Sequence, residues 1–209
     1  MKIGRFDCLT ELYTTNRDLT AYNAPPGMYK VRFKVGDFSQ DRNFEIKIDP
    51  RIVNSIENAA AAYVERNEIS KSIYEGATEM AKGVRNLRMI KQQLETVMDL
   101  ASNDKVKQEG KVLDETLDKW ISEILQKEMR TYQSNYMFEA RLLIKFKDFL
   151  DNIGKGNLPI TQGVRDVTQD YLQQWDVLKR SLEQIKNTDI ATYNTLLKSN
   201  GLPELYWPK

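Results

Sequence analysis

The chain has 209 residues, with 31 basic and 30 acidic side chains, no histidine and one cysteine. A hydrophobic share of 41%, a charged share of 29% and a mean hydropathy of -0.58 describe a water-soluble globular chain long enough to bury a core. The net charge of +1 creates no long-range field toward nucleic acid or an anionic bilayer, and the missing histidine removes the commonest general base and metal ligand.

The opening stretch is interrupted by Lys2, Arg5, Asp7 and Glu11, so it lacks the apolar run of about 7 to 15 residues that an export signal needs. No apolar run approaches the roughly 18 residues of a membrane span. Cys8 has no second thiol to pair with and no histidine to activate it, and it reads as a small packed apolar side chain. Ile3 to Phe6 and Leu9 to Tyr13 can each supply a strand. Pro25-Pro26-Gly27 then fits a turn that delivers the chain into a strand pair. Tyr29, Val31, Phe33 and Val35 alternate with Lys30, Arg32 and Lys34, Gly36-Asp37 interrupts, and Phe44, Ile46 and Ile48 alternate with Glu45 and Lys47. That alternation predicts a half-buried pair. Three or four strands cover only one face of a core, so their apolar face must meet helices or another chain.

Asp49-Pro50 predicts a helix start, with aspartate as the cap and proline where its missing N–H costs nothing. Ile52, Ile56, Ala59, Tyr63, Ile73, Ala77, Met80, Val84, Leu87, Ile90, Leu94 and Val97 predict one long helical stripe. About 50 residues would span about 75 Å. The stripe lapses from Arg66 to Ser70, where a kink is expected, and Gly76 and Gly83 weaken the helix further. After Ser102-Asn103-Asp104, Val106, Leu113, Leu117, Trp120 and Ile124 predict a second helix returning antiparallel, with Ser102 or Asp104 as its cap. A third carries Phe138, Leu142, Phe146, Phe149 and Ile153 and ends in the loop from Gly154 to Pro159. Thr161 caps a fourth, along which Val164, Val167, Tyr171, Trp175, Leu178, Leu182 and Ile185 keep three-four spacing. A last helix from about Asp189 to Ser199 stops at Asn200-Gly201. The expected fold is mainly α: an antiparallel helical bundle with a long first helix, preceded by a small antiparallel β segment. The division is residues 1–49 for the β segment and 50–209 for the bundle.

Four features invite a chemical reading. Asp114 and Asp118 share a helix face near Glu115 and Glu123, as the carboxyl pair of a glycoside-cleaving enzyme must share a site, but Lys111 and Lys119 alternate with them as on a solvated, ion-paired face. Lys82, Arg85, Arg88 and Lys91 line the long helix without interleaved aromatics, so a single-strand nucleic-acid groove is not indicated. Ser102 and Lys105 have an acyl-transfer spacing without its companion motifs and read as a turn. Gly154-x-Gly156 follows a helix, so it lacks the strand-to-helix geometry of a phosphate cradle. Trp120 and Trp175 sit on apolar stripes, and Trp207 is expected to dock on the chain's own bundle. No catalytic, cofactor-binding or metal-binding residue is assigned.

Two stretches carry a family resemblance: Ala24-Pro25-Pro26-Gly27-Met28-Tyr29-Lys30-Val31-Arg32-Phe33 running on to Asp49-Pro50-Arg51, and Asp189 to Pro203, DIATYNTLLKSNGLP. They resemble the C-terminal region of bacterial exported proteins with sortilin-like, BNR-type β-propellers, often labelled glycosyl hydrolases. The resemblance covers most of the chain from Ala24 onward and implies a tail module, an immunoglobulin-like strand segment followed by a helical bundle. It carries no catalytic residues, since this chain contains no propeller sequence. It also implies a periplasmic or extracellular setting.

The resulting expectation is a non-enzymatic structural or interaction module, whose partner is another protein or its own parent propeller, with a possible homodimer through the β segment. A glycan-active protein using the acidic cluster, or a cytosolic helical adaptor, are the alternatives. Neither nucleic acid nor a membrane span is expected.

Overall fold

A computed structural model describes residues 2–5, 20–126, 138–155 and 158–208. The second N-terminal strand expected at Leu9 to Tyr13, Cys8, and the middle of the Gly154 to Pro159 loop lie outside the described residues. The fold is mainly α, a helical bundle preceded by short antiparallel β structure. Its strands form two separate two-stranded ribbons. Strand β1 (Lys2–Arg5) pairs with β2 (Thr20–Asn23), and β3 (Gly27–Val35) pairs with β4 (Phe38–Ile46). The second ribbon is in register from Gly27 opposite Ile46 to Val35 opposite Phe38. Gly36, at φ 55, opens the two-residue turn, the position where such turns favour glycine.

Asp49 caps a helix at Pro50 as expected, accepting from the backbone N–H of Arg51 at 2.9 Å, but helix α1 (Pro50–Val53) lasts a single turn. The chain breaks at Asn54 and restarts through Asn58, which adopts the left-handed conformation at φ 54 and caps α2. Asparagine tolerates this conformation better than most residues. The expected single helix from Asp49 is therefore a short turn followed by α2 (Ala59–Leu100), 42 residues and about 63 Å long. Helix α2 runs through the stretch from Arg66 to Ser70 without a break. Side-chain ties hold the segment where the apolar stripe lapses. Arg165 donates through Nη2 to Glu65 at 3.0 Å, and the Asn67 amide donates to the carbonyl of Asn23 at 3.2 Å.

Helix α3 (Asp104–Ile124) returns along α2 after three residues. Its cap is Asn103, whose side chain accepts from Lys105 N–H at 2.9 Å. Ser102 and Asp104 do not take that role, because the residue with the extended backbone at the helix entrance is the one between them. Helix α4 (Leu142–Lys155) begins after Phe138, which belongs to the preceding irregular segment. Thr161 caps α5 (Gln162–Gln184) as expected. A π-turn at Ile185–Asp189 carries α5 into α6 (Ile190–Ser199) without a break. Gly201, at φ 67, ends α6, with Leu202 N–H bonded to the carbonyl of Leu197 at 3.0 Å. This is a left-handed C-terminal cap.

The core lies along α2, where Ile73, Met80, Val84, Leu87, Ile90 and Leu94 are fully buried, and α3, α4 and α5 pack around it. Phe146 and Leu143 of α4 and Leu117 and Ile124 of α3 complete it. Val167, expected on the inner stripe of α5, is exposed, and Thr168 occupies the buried position beside it. Burying this set removes a large apolar area from water, at about 25 cal/mol for each Å². Two glycines of α2 are close-approach positions. A Cβ on Gly76 would come within 2.8 Å of the Phe146 ring, and one on Gly83 within 2.9 Å of Trp120.

Candidate functional site

The β3–β4 ribbon has two chemically different faces, because successive side chains of a strand point to opposite sides. Its register places Tyr29 opposite Phe44, Val31 opposite Arg42, Phe33 opposite Gln40 and Val35 opposite Phe38 on one face. The other face pairs Lys30 with Asn43, Arg32 with Asp41 and Lys34 with Ser39. On the polar face Arg32 grips Asp41 with two hydrogen bonds, Nε to Oδ1 at 2.7 Å and Nη2 to Oδ2 at 2.9 Å. The guanidinium holds the Asp41 carboxyl below the usual carboxylate range.

The apolar face is where the structure departs from the half-buried expectation. Val31 is 51% exposed, Phe33 and Val35 60%, and Phe38 58%. Only the end away from the turn is partly covered. There Tyr29 stacks on Phe44 at 5.7 Å between ring centroids and donates its hydroxyl to the carbonyl of Pro25 at 2.6 Å. Phe33 and Phe38 meet edge to face at 6.5 Å near the turn. Arg42 stands in the middle of this face and forms no ion pair among the described residues. A two-stranded ribbon has no second layer of its own. Its apolar side is consequently a surface, and its outer strand edges are unpaired in the described structure.

The acidic cluster of α3 resolves into an interhelical tie. Lys91 of α2 reaches Asp114 at 2.9 Å and Asp118 at 2.6 Å. Burial acts to lower the Lys91 pKa, but the hydrogen bonds that its ammonium donates to Asp118 and Asp114 outweigh it and raise it above the ordinary lysine value. One ammonium thus balances two carboxylates. Glycoside cleavage needs one member of such a pair to carry a proton, whereas here both carboxylates are engaged by one ammonium. Glu115 and Glu123 are exposed and take no part in the tie. The ion pair runs across helices, not to Lys111 or Lys119 as the spacing suggested. Lys91 is thereby removed from the basic row, and Lys82, Arg85 and Arg88 remain exposed without ion pairs among the described residues.

The other sequence candidates are structural. Ser102 and Lys105 flank the α2–α3 turn, where the Asn103 amide donates to Asn200 Oδ1 at 2.7 Å. Gly154 lies at the end of α4, its carbonyl accepting from the Asn23 amide at 3.3 Å. Trp120 donates Nε1–H to the carbonyl of Leu178 at 2.9 Å, and Trp175 donates to Glu79 at 3.1 Å. Trp207 packs against the core, with Lys186 over its ring at 5.6 Å.

Among the described residues there is no cluster of three or more cysteine or acidic side chains placed to hold a metal ion, and no helix is long and apolar enough to cross a membrane. No family model, curated protein or solved structure matches this chain.

Proposed function

We propose that this protein is a non-enzymatic docking module, in which the helical bundle is the rigid base and the β3–β4 ribbon is the contact element. The observation that carries this reading is the exposure of Val31, Phe33, Val35 and Phe38 on one face of a ribbon that has no covering layer among the described residues. Such a face gains about 25 cal/mol for each Å² that a partner removes from water. Arg42, in the middle of it, sets the chemistry of the partner. An arginine enclosed by apolar contacts needs a carboxylate, so the complementary element presents apolar side chains around an aspartate or glutamate.

That requirement also favours a different protein over a second copy. The apolar face itself offers no carboxylate, because its residues from Gly27 to Ile46 are Tyr29, Val31, Phe33, Val35, Phe38, Gln40, Arg42 and Phe44. Two copies packed face to face about the ribbon's midpoint would bring two Arg42 side chains together without compensation. Within the resemblance to propeller tails, the parent propeller of an exported protein is the natural partner.

The test is site-specific photocrosslinking in cells, with p-benzoylphenylalanine in place of Phe33 and, as control, of Val177 on the exposed side of α5. A discrete heterologous adduct at position 33, absent at 177 and lost in an Arg42→Glu background, supports the reading. Identical adducts at both positions, or an adduct of twice the chain's own mass, overturns it.

A further inference from the structure

A second site lies away from the ribbon, where the end of β2 meets α2 and α4. The cleft there, about 100 Å³ in volume, is lined by Tyr63, Arg66, Ser70, Asp151 and Lys155 among others. Its walls are fixed by hydrogen bonds. The Asn23 amide donates to Gly154 of α4, and the Asn67 amide of α2 donates to the carbonyl of Asn23. Arg66 is held over the Tyr63 ring at 4.8 Å, which leaves its N–H groups for another acceptor.

Three features of this cleft have no internal explanation. Arg66 and Asp151 are both half-buried, line the same space, and form no ion pair with each other or with any other described residue. Ser70 is 5% exposed, and its hydroxyl has no hydrogen-bond partner among the described residues. A buried polar group is normally paired, and half-buried opposite charges in one cleft normally meet unless something stands between them. A ligand that satisfies all three would offer an anionic group to the guanidinium, a cationic group to the carboxylate, and a polar atom to the hydroxyl. Lys155, one turn beyond Asp151 on α4, also lines the cleft.

We infer that this cleft binds a small zwitterion of the amino-acid class, with its carboxylate on Arg66, its ammonium on Asp151, and Ser70 Oγ bonded at the wall. Arginine suits the carboxylate because its planar fork can donate two parallel bonds. Tyr22 and Tyr63 supply the aromatic part of the lining.

The experiment is isothermal titration of the full chain with glycine, L-alanine, L-serine and L-glutamate one at a time, and with acetate and methylammonium as carriers of a single charge. At least one zwitterion is expected to saturate, with affinity about tenfold or more above acetate and methylammonium. Arg66→Gln and Asp151→Asn should each weaken it about tenfold or more, with helical circular dichroism unchanged. Ser70→Ala, which keeps the fold, should give a smaller loss, and Phe33→Ser on the ribbon none. Saturation by no zwitterion, binding of acetate as tight as that of the zwitterions, or unchanged affinity in the folded Arg66→Gln and Asp151→Asn variants overturns the assignment.

Discussion

The indole of Trp120 lies so close to the backbone of Gly83 that a Cβ on the glycine would come within 2.9 Å of the ring's Cη2 and 3.0 Å of Leu182 Cδ2. Three helices meet there, α2 through Gly83, α3 through Trp120 and α5 through Leu182. Trp120 also touches Trp175 edge to face at 6.5 Å, so the ring cannot retreat without disturbing a second one.

Gly83→Ala is therefore expected to destabilise the fold. Helix propensity alone predicts a gain of about 1 kcal/mol, whereas overpacking a filled core costs about 1 to 3 kcal/mol. Urea denaturation should show a net loss, while the same change at an exposed glycine of the bundle, Gly163, should show none. A stabilised Gly83→Ala variant would mean that the three helices do not meet as closely as described.

The tie between Lys91 and the two aspartates predicts a pH-dependent contribution. Lys91→Gln should cost about 1 kcal/mol at neutral pH, as expected for a partly exposed ion-pair network. The folded-state pKa of Lys91 is raised above the ordinary value of 10.5. A raised lysine contributes fully below its unfolded pKa and loses that contribution as the pH rises through the folded one. The stability gap between wild type and variant should thus stay constant from neutral pH to about that ordinary value and close only in more alkaline solution, as followed by urea midpoints. A gap that closes near neutrality would mean that Lys91 is not the titrating partner.

Much of the bundle was legible because its signals are local. Val106, Leu113, Leu117, Trp120 and Ile124 repeat at helical spacing, and all five are buried in α3. Thr161 and the Asn200-Gly201 pair are likewise short-range cap and stop signals. What stayed hidden depends on partners distant in sequence. Gly76 and Gly83 look like helix weakeners until Phe146 and Trp120 are placed against them. Lys91 looks like one charge in a basic row until α3 returns alongside it. The ribbon's alternation gave its two faces correctly, but alternation signals an apolar side without saying that anything covers it. The cleft was least legible, since Arg66 and Ser70 come from α2 and Asp151 from α4, neighbours in space that are far apart in the chain.

The C-terminal segment is held by two side-chain amides that each bond one residue of backbone twice. Gln93 donates to the carbonyl of Tyr206 at 3.1 Å and accepts from its N–H at 2.7 Å, and Asn194 treats Leu205 the same way at 2.9 and 2.7 Å. Asn194→Ala leaves both groups of the buried Leu205 without partners and should cost about 1 to 3 kcal/mol. Trp207, released with the segment, should become accessible to iodide quenching in a Trp120→Phe, Trp175→Phe background. Unaltered quenching in the Asn194→Ala form of that background would show that the tail is held by its apolar contacts alone.

Asp49 offers an acid-side test. Its carboxylate accepts from the Arg51 side chain and from its backbone N–H, and its pKa falls from 3.8 to about 2. A depressed carboxyl contributes above its unfolded pKa and loses that contribution as the pH falls through the folded value. Carbon-detected NMR should show Asp49 titrating near the lower figure in the wild type. Arg51→Gln should move it back toward the ordinary value. An Asp49 titration that ignores the Arg51→Gln change would remove the guanidinium as the cause.

The exposed ribbon predicts a dissociation between stability and association. Phe33→Ser with Val35→Thr removes apolar atoms that are already mostly in water, since both residues are 60% exposed. Surface changes of this kind fall within about 0.5 kcal/mol of neutral, so the thermal midpoint should hardly move. The same pair on a ribbon buried against its own bundle would cost several times more, because each lost core side chain carries both a transfer and a cavity cost. Binding of a hydrophobic dye such as anilinonaphthalene sulfonate to the folded chain should fall in the double variant, since Val31, Phe33, Val35 and Phe38 expose apolar surface on that one face. A large drop in thermal midpoint would show that the ribbon packs on its own chain, and the docking face would then have to be sought on the helices.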